Sequence, residues 1–154
     1  MFINIVSVGL PRSKQVQQLT HDYMERINKY SRVSLKAVKQ EPLLQGNGDV
    51  AVRKEAKKLI GLMKDCYNIV LDKDGEMMSS ESFAKFLNNS IMGGTRIVNV
   101  IIGGPTGIDM SVKQRADKVL SLSRMTFSHE ITMVIIAEQL YRAFTIMHGI
   151  PYHR

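Results

Sequence analysis

Three stretches of this chain combine small residues with groups able to bind a ligand or handle a proton. The first is Gly103-Gly104-Pro105-Thr106-Gly107, directly after the apolar run Ile97 to Ile102. Glycines let backbone approach a ligand closely and tolerate positive φ. A plain turn after a strand has the same composition, so the loop alone leaves both readings open. No Gly-Lys-Ser/Thr follows it, and its spacing is not that of the dinucleotide fingerprint, which disfavours phosphate binding. The second stretch is Leu120-Ser121-Leu122-Ser123-Arg124-Met125-Thr126-Phe127-Ser128-His129. Here His129, beside Glu130, has the chemistry of a general base or a substrate contact, and equally that of a helix-cap residue. Met125 and Phe127 suit an adenine ring or the core. The third is the polar run Asp72-Lys73-Asp74-Gly75-Glu76 after Leu71.

Two further groups stand near the C-terminus. Glu138 and Arg142 are four apart, the spacing of an ion pair on one helix face. The closing Pro151-Tyr152-His153-Arg154 offers a ring to stack on a base, an imidazole, and a guanidinium to meet phosphate. Terminal residues are commonly frayed, which is the plain alternative for this tail. The histidines His21, His129, His148 and His153 and the single Cys66 show no zinc-ligand spacing, so no metal is expected. No Ser-His-Asp arrangement can be assigned.

The elements that must position these groups follow from periodicity. Residues 2–8, rich in Ile and Val, predict a strand, and Gly9-Leu10-Pro11 a turn. Val16, Leu19, Tyr23, Ile27 and Tyr30 recur at helical spacing and predict a buried stripe on a helix over 14–30. Val33, Leu35 and Ala37 alternate as a half-buried strand. A loop at 45–48 precedes a helix capped by Asp49, with Val52, Ala56, Leu59, Ile60 and Met63 inward. The short apolar run 67–71 predicts a strand buried on both sides. Ser79 or Ser80 caps a helix ending at Gly93-Gly94, and 97–102 is the most apolar strand. A helix near 111–118, an extended segment over 119–127 and a last helix over 130–147 complete the chain. That last helix is apolar almost all round, as in a buried helix or a subunit interface. Alternating strands and helices imply an α/β fold, a mostly parallel sheet with helices on both faces. Ligands in such sheets bind beyond the carboxyl ends of strands, where all three polar loops fall.

The chain has 154 residues with no repeat or linker, which predicts a single domain over 1–154. Its formal net charge is +7, which suits a polyanionic partner. From Leu10 to Ile60 eleven Lys or Arg face five acids, so the excess is concentrated in this third. A solvated, solubilising surface explains the same charge. No apolar run is long enough for a membrane span, and the N-terminus reads as a strand rather than a signal peptide. The lone cysteine fits the cytosol.

Four motifs occur together in this order and spacing: Ile101-Ile102-Gly103-Gly104-Pro105-x-Gly107, Leu120-Ser121-Leu122-Ser123 with Thr126-x-x-His129, Glu138-x-Leu140-Tyr141-Arg142-Ala143, and Pro151-Tyr152-His153-Arg154. In these, over nearly its whole length, the chain resembles the ribosomal RNA large subunit methyltransferase H family of the SPOUT superfamily. The resemblance implies a C-terminal deep trefoil knot, a cytoplasmic homodimer without a membrane or metal partner, and S-adenosylmethionine as cofactor. Carried over by motif, the cofactor site comprises Leu71, Gly103, Gly104, Ser123, Arg124, Met125, Thr126, Phe127 and Ser128. The implied substrate is a pseudouridine of 23S ribosomal RNA within the assembled ribosome, methylated at N3. His129, Arg142 and His153 are then candidates for removing the imide proton or stabilising its anion. Tyr152 would stack on the base, and Arg154 would meet phosphate or an imide oxygen. Ser128 stands where relatives often carry proline. A non-catalytic RNA-binding relative and a methyltransferase for another RNA share the charge and remain alternatives, since fold does not fix substrate.

Overall fold

The computed structural model describes residues 1–43 and 46–152. Leu44, Gln45, His153 and Arg154 therefore lie outside the described residues. In chain order the elements are β1 (Phe2–Val8), α1 (Lys14–Ile27), β2 (Arg32–Val38), α2 (Gly48–Leu62), β3 (Tyr67–Met77), α3 (Ser80–Met92), β4 (Ile97–Ile102), α4 (Met110–Lys113), β5 (Lys118–Ser121) and α5 (His129–Met147). The five strands form one sheet in the order β2-β1-β4-β3-β5, every pair parallel. This is the α/β fold that the alternation of elements predicts.

Period-two alternation sorts β1 between two cores. Ile3 and Ile5 join Ile27 of α1, Leu87 of α3 and Met133, Ile136 and Leu140 of α5 in one apolar cluster. Val6 and Val8 join Ala56 and Leu59 of α2, Met63 and Val112 of α4 in the other. Burying each such Ile or Leu stabilises the fold by roughly 1.5–3 kcal/mol. A polar row crosses the sheet at one register. Asn4, Asn99, Asn68 and Ser34 are mutual partners in the strand pairings. Asn4 Nδ2 donates to Asn99 Oδ1 at 2.8 Å, Asn99 Nδ2 to Asn68 Oδ1 at 3.0 Å, and Ser34 Oγ to Asn4 Oδ1 at 2.8 Å. The row also serves the end of α2. Asn99 Nδ2 donates to Leu62 O and Asn68 Nδ2 to Met63 O, carbonyls that a helix terminus leaves without partners.

Several boundaries differ from the sequence reading, each for a local reason. The first helix stops at Ile27, and Leu19 of its expected stripe is exposed. Asn47, not Asp49, takes the N-cap position of α2, and Asp49 lies in its first turn. Asp109 caps α4 by accepting from the Ser111 N–H, so this helix starts earlier than expected and is only one turn long. The extended segment after it is the four-residue β5. The largest difference is in β3, expected to end at Leu71. Residues 72–75 leave the ladder and pairing resumes at Glu76, so Leu120 of β5 is the partner of both Leu71 and Glu76. Gly75 makes that crossing possible, because a Cβ there would lie 2.7–2.8 Å from the backbone of Val119 and Leu120.

Candidate active site

The irregular middle of β3 and the loops following β4 and β5 converge on a cavity of about 410 Å³, within the range of small-molecule sites. Leu71, Asp72 and Lys73 line it from β3, and Ile102 to Ile108 from the end of β4 and the loop after it. Leu122, Ser123, Met125, Thr126 and Phe127 line it from the loop after β5, with His129 and Thr132 from the start of α5. Of the nine residues carried over as cofactor contacts, seven lie on this wall. Arg124 and Ser128 do not, and both are exposed.

Each loop has a physical reason for its shape. A Cβ on Gly103 would meet Ile108 Cγ1 at 2.5 Å and Gly107 O at 3.0 Å, because the loop folds back on itself. A Cβ on Gly104 would meet Val8 Cγ1 at 3.0 Å. Packing of the loop therefore demands a glycine at 103, and at 104 it leaves a side chain room only if Val8 shifts by a few tenths of an ångström. Asp72 is fixed by Lys113, whose Nζ lies 2.8 Å from Oδ2, and by the Asp74 N–H donating to Oδ1 at 3.0 Å. Burial raises the Asp72 carboxyl, but Lys113 and that N–H outweigh it and hold it below the usual aspartate range. Met125 and Phe127 are exposed apolar side chains at the cavity rather than core.

Ser128 is the N-cap of α5, its hydroxyl accepting from the Ile131 N–H at 3.4 Å, with φ −61°. That φ is the one a proline ring imposes, so serine fills a proline-compatible position while adding a cap. His129 is thus the first residue of the helix rather than its cap. Thr132 joins it on the wall because residues three apart share a helix face. That spacing was the available signal for Thr132, which the motif reading omitted. Glu130 accepts from the backbone N–H groups of Arg12 and Ser13 at 2.9 and 3.3 Å, tying the β1–α1 turn to the start of α5.

The other candidates gather elsewhere. Arg142 Nη2 lies 2.6 Å from Glu138 Oε1, the ion pair that the spacing suggested. Its guanidinium sits 4.8 Å from the Tyr152 ring centroid. The Tyr152 hydroxyl donates to Glu138 Oε1 at 3.1 Å, and its ring meets Tyr141 edge-on at 4.8 Å between centroids. Burial, the Tyr23 hydroxyl and the Glu138 charge push the Tyr152 phenol well above its ordinary range, so it stays protonated. This tail residue is anchored, not frayed. Arg142 lies thirteen positions along α5 from His129, roughly 20 Å at 1.5 Å per residue. Within one chain, His129 and the Arg142–Tyr152 cluster are two separate places. Among the described residues no group of three or more His, Cys, Asp or Glu is arranged to hold a metal, and no helix is long and apolar enough to cross a membrane.

Comparison with known proteins places this architecture. The tRNA (m1G37) methyltransferase of Aquifex aeolicus superposes with a TM-score of 0.57 over 99% of this chain and 73% of that one, at 13% sequence identity. Residues 1–153 match the family model described as "Predicted SPOUT methyltransferase". The fold is that of the SPOUT methyltransferases. The ribosomal RNA large subunit methyltransferase H of Syntrophobacter fumaroxidans is 40% identical across the whole of both chains, and that of Clostridium kluyveri 35% identical, also across the whole of both. Within the SPOUT class the chain belongs to the ribosomal RNA large subunit methyltransferase H family.

Proposed function

We propose that this chain transfers a methyl group from S-adenosylmethionine to N3 of a pseudouridine in 23S ribosomal RNA. In this reading it acts as a knotted single domain in a cytoplasmic homodimer on the assembled ribosome. The observation that carries the reading is the cavity formed where the irregular middle of β3 meets the loops after β4 and β5, at the residues the family motif assigns to the cofactor. Its lining suits that molecule. Leu71, Ile102, Ile108, Leu122, Met125 and Phe127 offer apolar surface for an adenine. Thr106, Ser123, Thr126 and Thr132 offer hydroxyls for ribose and amino-acid groups, and Asp72 a fixed carboxylate.

When bound, S-adenosylmethionine supplies a methyl group already activated by its positive sulfur. The acceptor is an imide nitrogen, which becomes nucleophilic only when its proton leaves. The residues must therefore align donor and acceptor and favour the imide anion. Alignment can lower the barrier by ~7–11 kcal/mol at best, and a positioned base adds about 10²–10⁴-fold. His129, on the cavity wall, is the described candidate for taking the proton and His153 is the other, while the Arg142 guanidinium, which stays charged, is the candidate for stabilising the imide anion. Tyr152, held protonated, serves as a ring for the base rather than as a proton acceptor. Arg154 is assigned to phosphate or an imide oxygen.

The separation of His129 from the Arg142–Tyr152 cluster supports a dimeric site. A second copy can bring its own α5 end and tail to this cavity, which this chain's α5 holds roughly 20 Å away. The basic stretch from Leu10 to Ile60 gives the dimer a face for RNA phosphates. The deciding assay is methyl transfer from labelled S-adenosylmethionine to ribosomes lacking the modification, with free 23S RNA and transfer RNA alongside. Label on N3 of one pseudouridine, with ribosomes only, is expected. Label on transfer RNA, or on no RNA despite cofactor binding, would refute the substrate.

A further inference from the structure

Among the described residues, Glu55 is the only carboxylate with an oxygen that is both fully buried and without a hydrogen-bond partner. It projects from α2 and is 3% exposed. Its Oε1 accepts from the Glu41 N–H at 2.9 Å, which ties the β2–α2 connection to the helix. Its Oε2 faces the back of the glycine loop, 3.4 Å from where a Cβ of Gly104 would lie. Gly104 itself lines the cavity. One residue without a side chain thus separates this carboxylate from the ligand space.

The two acids near the cavity differ in how their charge is met. Asp72, on the wall, is neutralised by Lys113. Among the described residues no ion pair reaches Glu55. Keeping a buried carboxylate without a cation is costly, and the cost is offset when a cation occupies the neighbouring space. Surrounded by protein rather than solvent, the buried carboxylate has a field that is screened less than that of a surface acid.

We propose that Glu55 is a specificity-determining residue whose charge, set behind Gly104, favours a cationic occupant of the cavity over a neutral one of the same shape. The inference rests on the cofactor reading above. S-adenosylmethionine carries a sulfonium cation, and its demethylated product S-adenosylhomocysteine is the neutral thioether. The two are otherwise alike, so Glu55 disfavours spent product relative to fresh donor. Its Gln variant keeps the acceptor for the Glu41 N–H and removes the charge.

Calorimetric titration of each ligand into the wild type, Glu55→Gln and Glu55→Asp tests this. Glu55→Gln is expected to lower the affinity ratio of S-adenosylmethionine to S-adenosylhomocysteine about tenfold, mainly through the former. Glu55→Asp, which keeps the charge, is expected to retain the ratio within about twofold. An unchanged ratio in Glu55→Gln, with both ligands still bound, would overturn this inference alone. Failure of the wild type to bind either ligand would overturn it together with the cofactor assignment. If Glu55→Gln does not fold, the wild-type ratio decides from about 0.05 to 0.5 M salt. A buried charge leaves that ratio unmoved, whereas a steep fall would assign the selectivity to exposed charges and overturn the proposal.

Discussion

Replacing Asn99 by alanine tests whether the polar row across the sheet holds the fold as a unit. The Asn99 amide makes three hydrogen bonds, two of them buried: it accepts from Asn4 Nδ2 and donates to Asn68 Oδ1 and to the part-buried Leu62 O. Removing it strands a donor and an acceptor inside the sheet and a third group at the end of α2, each worth about 1–3 kcal/mol when left unsatisfied. Asn68 and Asn4 stay anchored through their other amide atoms, Asn68 Nδ2 and Asn4 Oδ1, and the part-buried Leu62 carbonyl can be met by water, so the loss falls at the low end of that sum. We expect Asn99→Ala to destabilise the protein by ~3–5 kcal/mol, a large share of the ~5–15 kcal/mol typical of a domain. With a urea slope near 2 kcal/mol/M, the midpoint falls by about 1.5–2.5 M. Urea unfolding followed by circular dichroism, at one fixed protein concentration, measures this. The cycle with Asn4→Ala should show coupling of about 1 kcal/mol or more. A loss below about 1 kcal/mol, or strict additivity of the two substitutions, would refute the idea that the row is cooperative.

Phe127→Ala removes exposed ring surface at the cavity and should weaken S-adenosylmethionine binding about tenfold while leaving the melting temperature within a few degrees. Equilibrium dialysis and thermal melts separate the two. Gly103→Ala drives a methyl into Ile108 and the Gly107 carbonyl, so it should abolish detectable cofactor binding while β4 remains folded, checked by dialysis beside circular dichroism. For Asp72 the folded-state carboxyl lies below its unfolded value, so its contribution is present above about pH 4 and is lost as pH falls through the lowered value. The stability gap between wild type and Asp72→Asn should therefore be constant at neutral pH and close below about pH 4, read from urea midpoints at each pH. Tyr152→Phe keeps the ring against Tyr141 and Arg142 and should retain most single-turnover activity, whereas Tyr152→Ala should lose it.

The parallel sheet was legible because the strands carry runs of Ile and Val while the helices show three-to-four spacing. What escaped was contact between distant segments. Nothing local to Asp72-Lys73-Asp74-Gly75 says that Glu76 will pair again with Leu120, since that pairing depends on a strand more than 40 residues later. Asn4, Asn68 and Asn99 each look like ill-placed polar residues within apolar strands. Only the register aligns them and supplies their partners. For the cavity, the loop compositions and the order of parallel strands located the Gly103 and Ser123 stretches correctly as strand ends. Glu55 was counted only as one acid in a basic stretch, because burial cannot be read from a helix with so many lysines around it. Arg142 was open between ion pair and catalyst, and the Glu138 contact shows the pair without removing the other role.

The order in which the cavity wall is made has a consequence for a chain still being synthesised. Leu71 to Lys73 emerge first, the glycine loop about thirty residues later, and Leu122 to Thr132 last of all. Until β5 has been made and paired with β3, Leu120 cannot stand between Leu71 and Glu76, and the pocket has no third side. A nascent chain arrested before Lys118 has most of its sheet but nowhere to hold a small molecule. Ligand affinity would therefore arise in one late step, and proteolytic or stalled fragments lacking the last third would neither sequester a methyl donor nor compete with the finished protein for it.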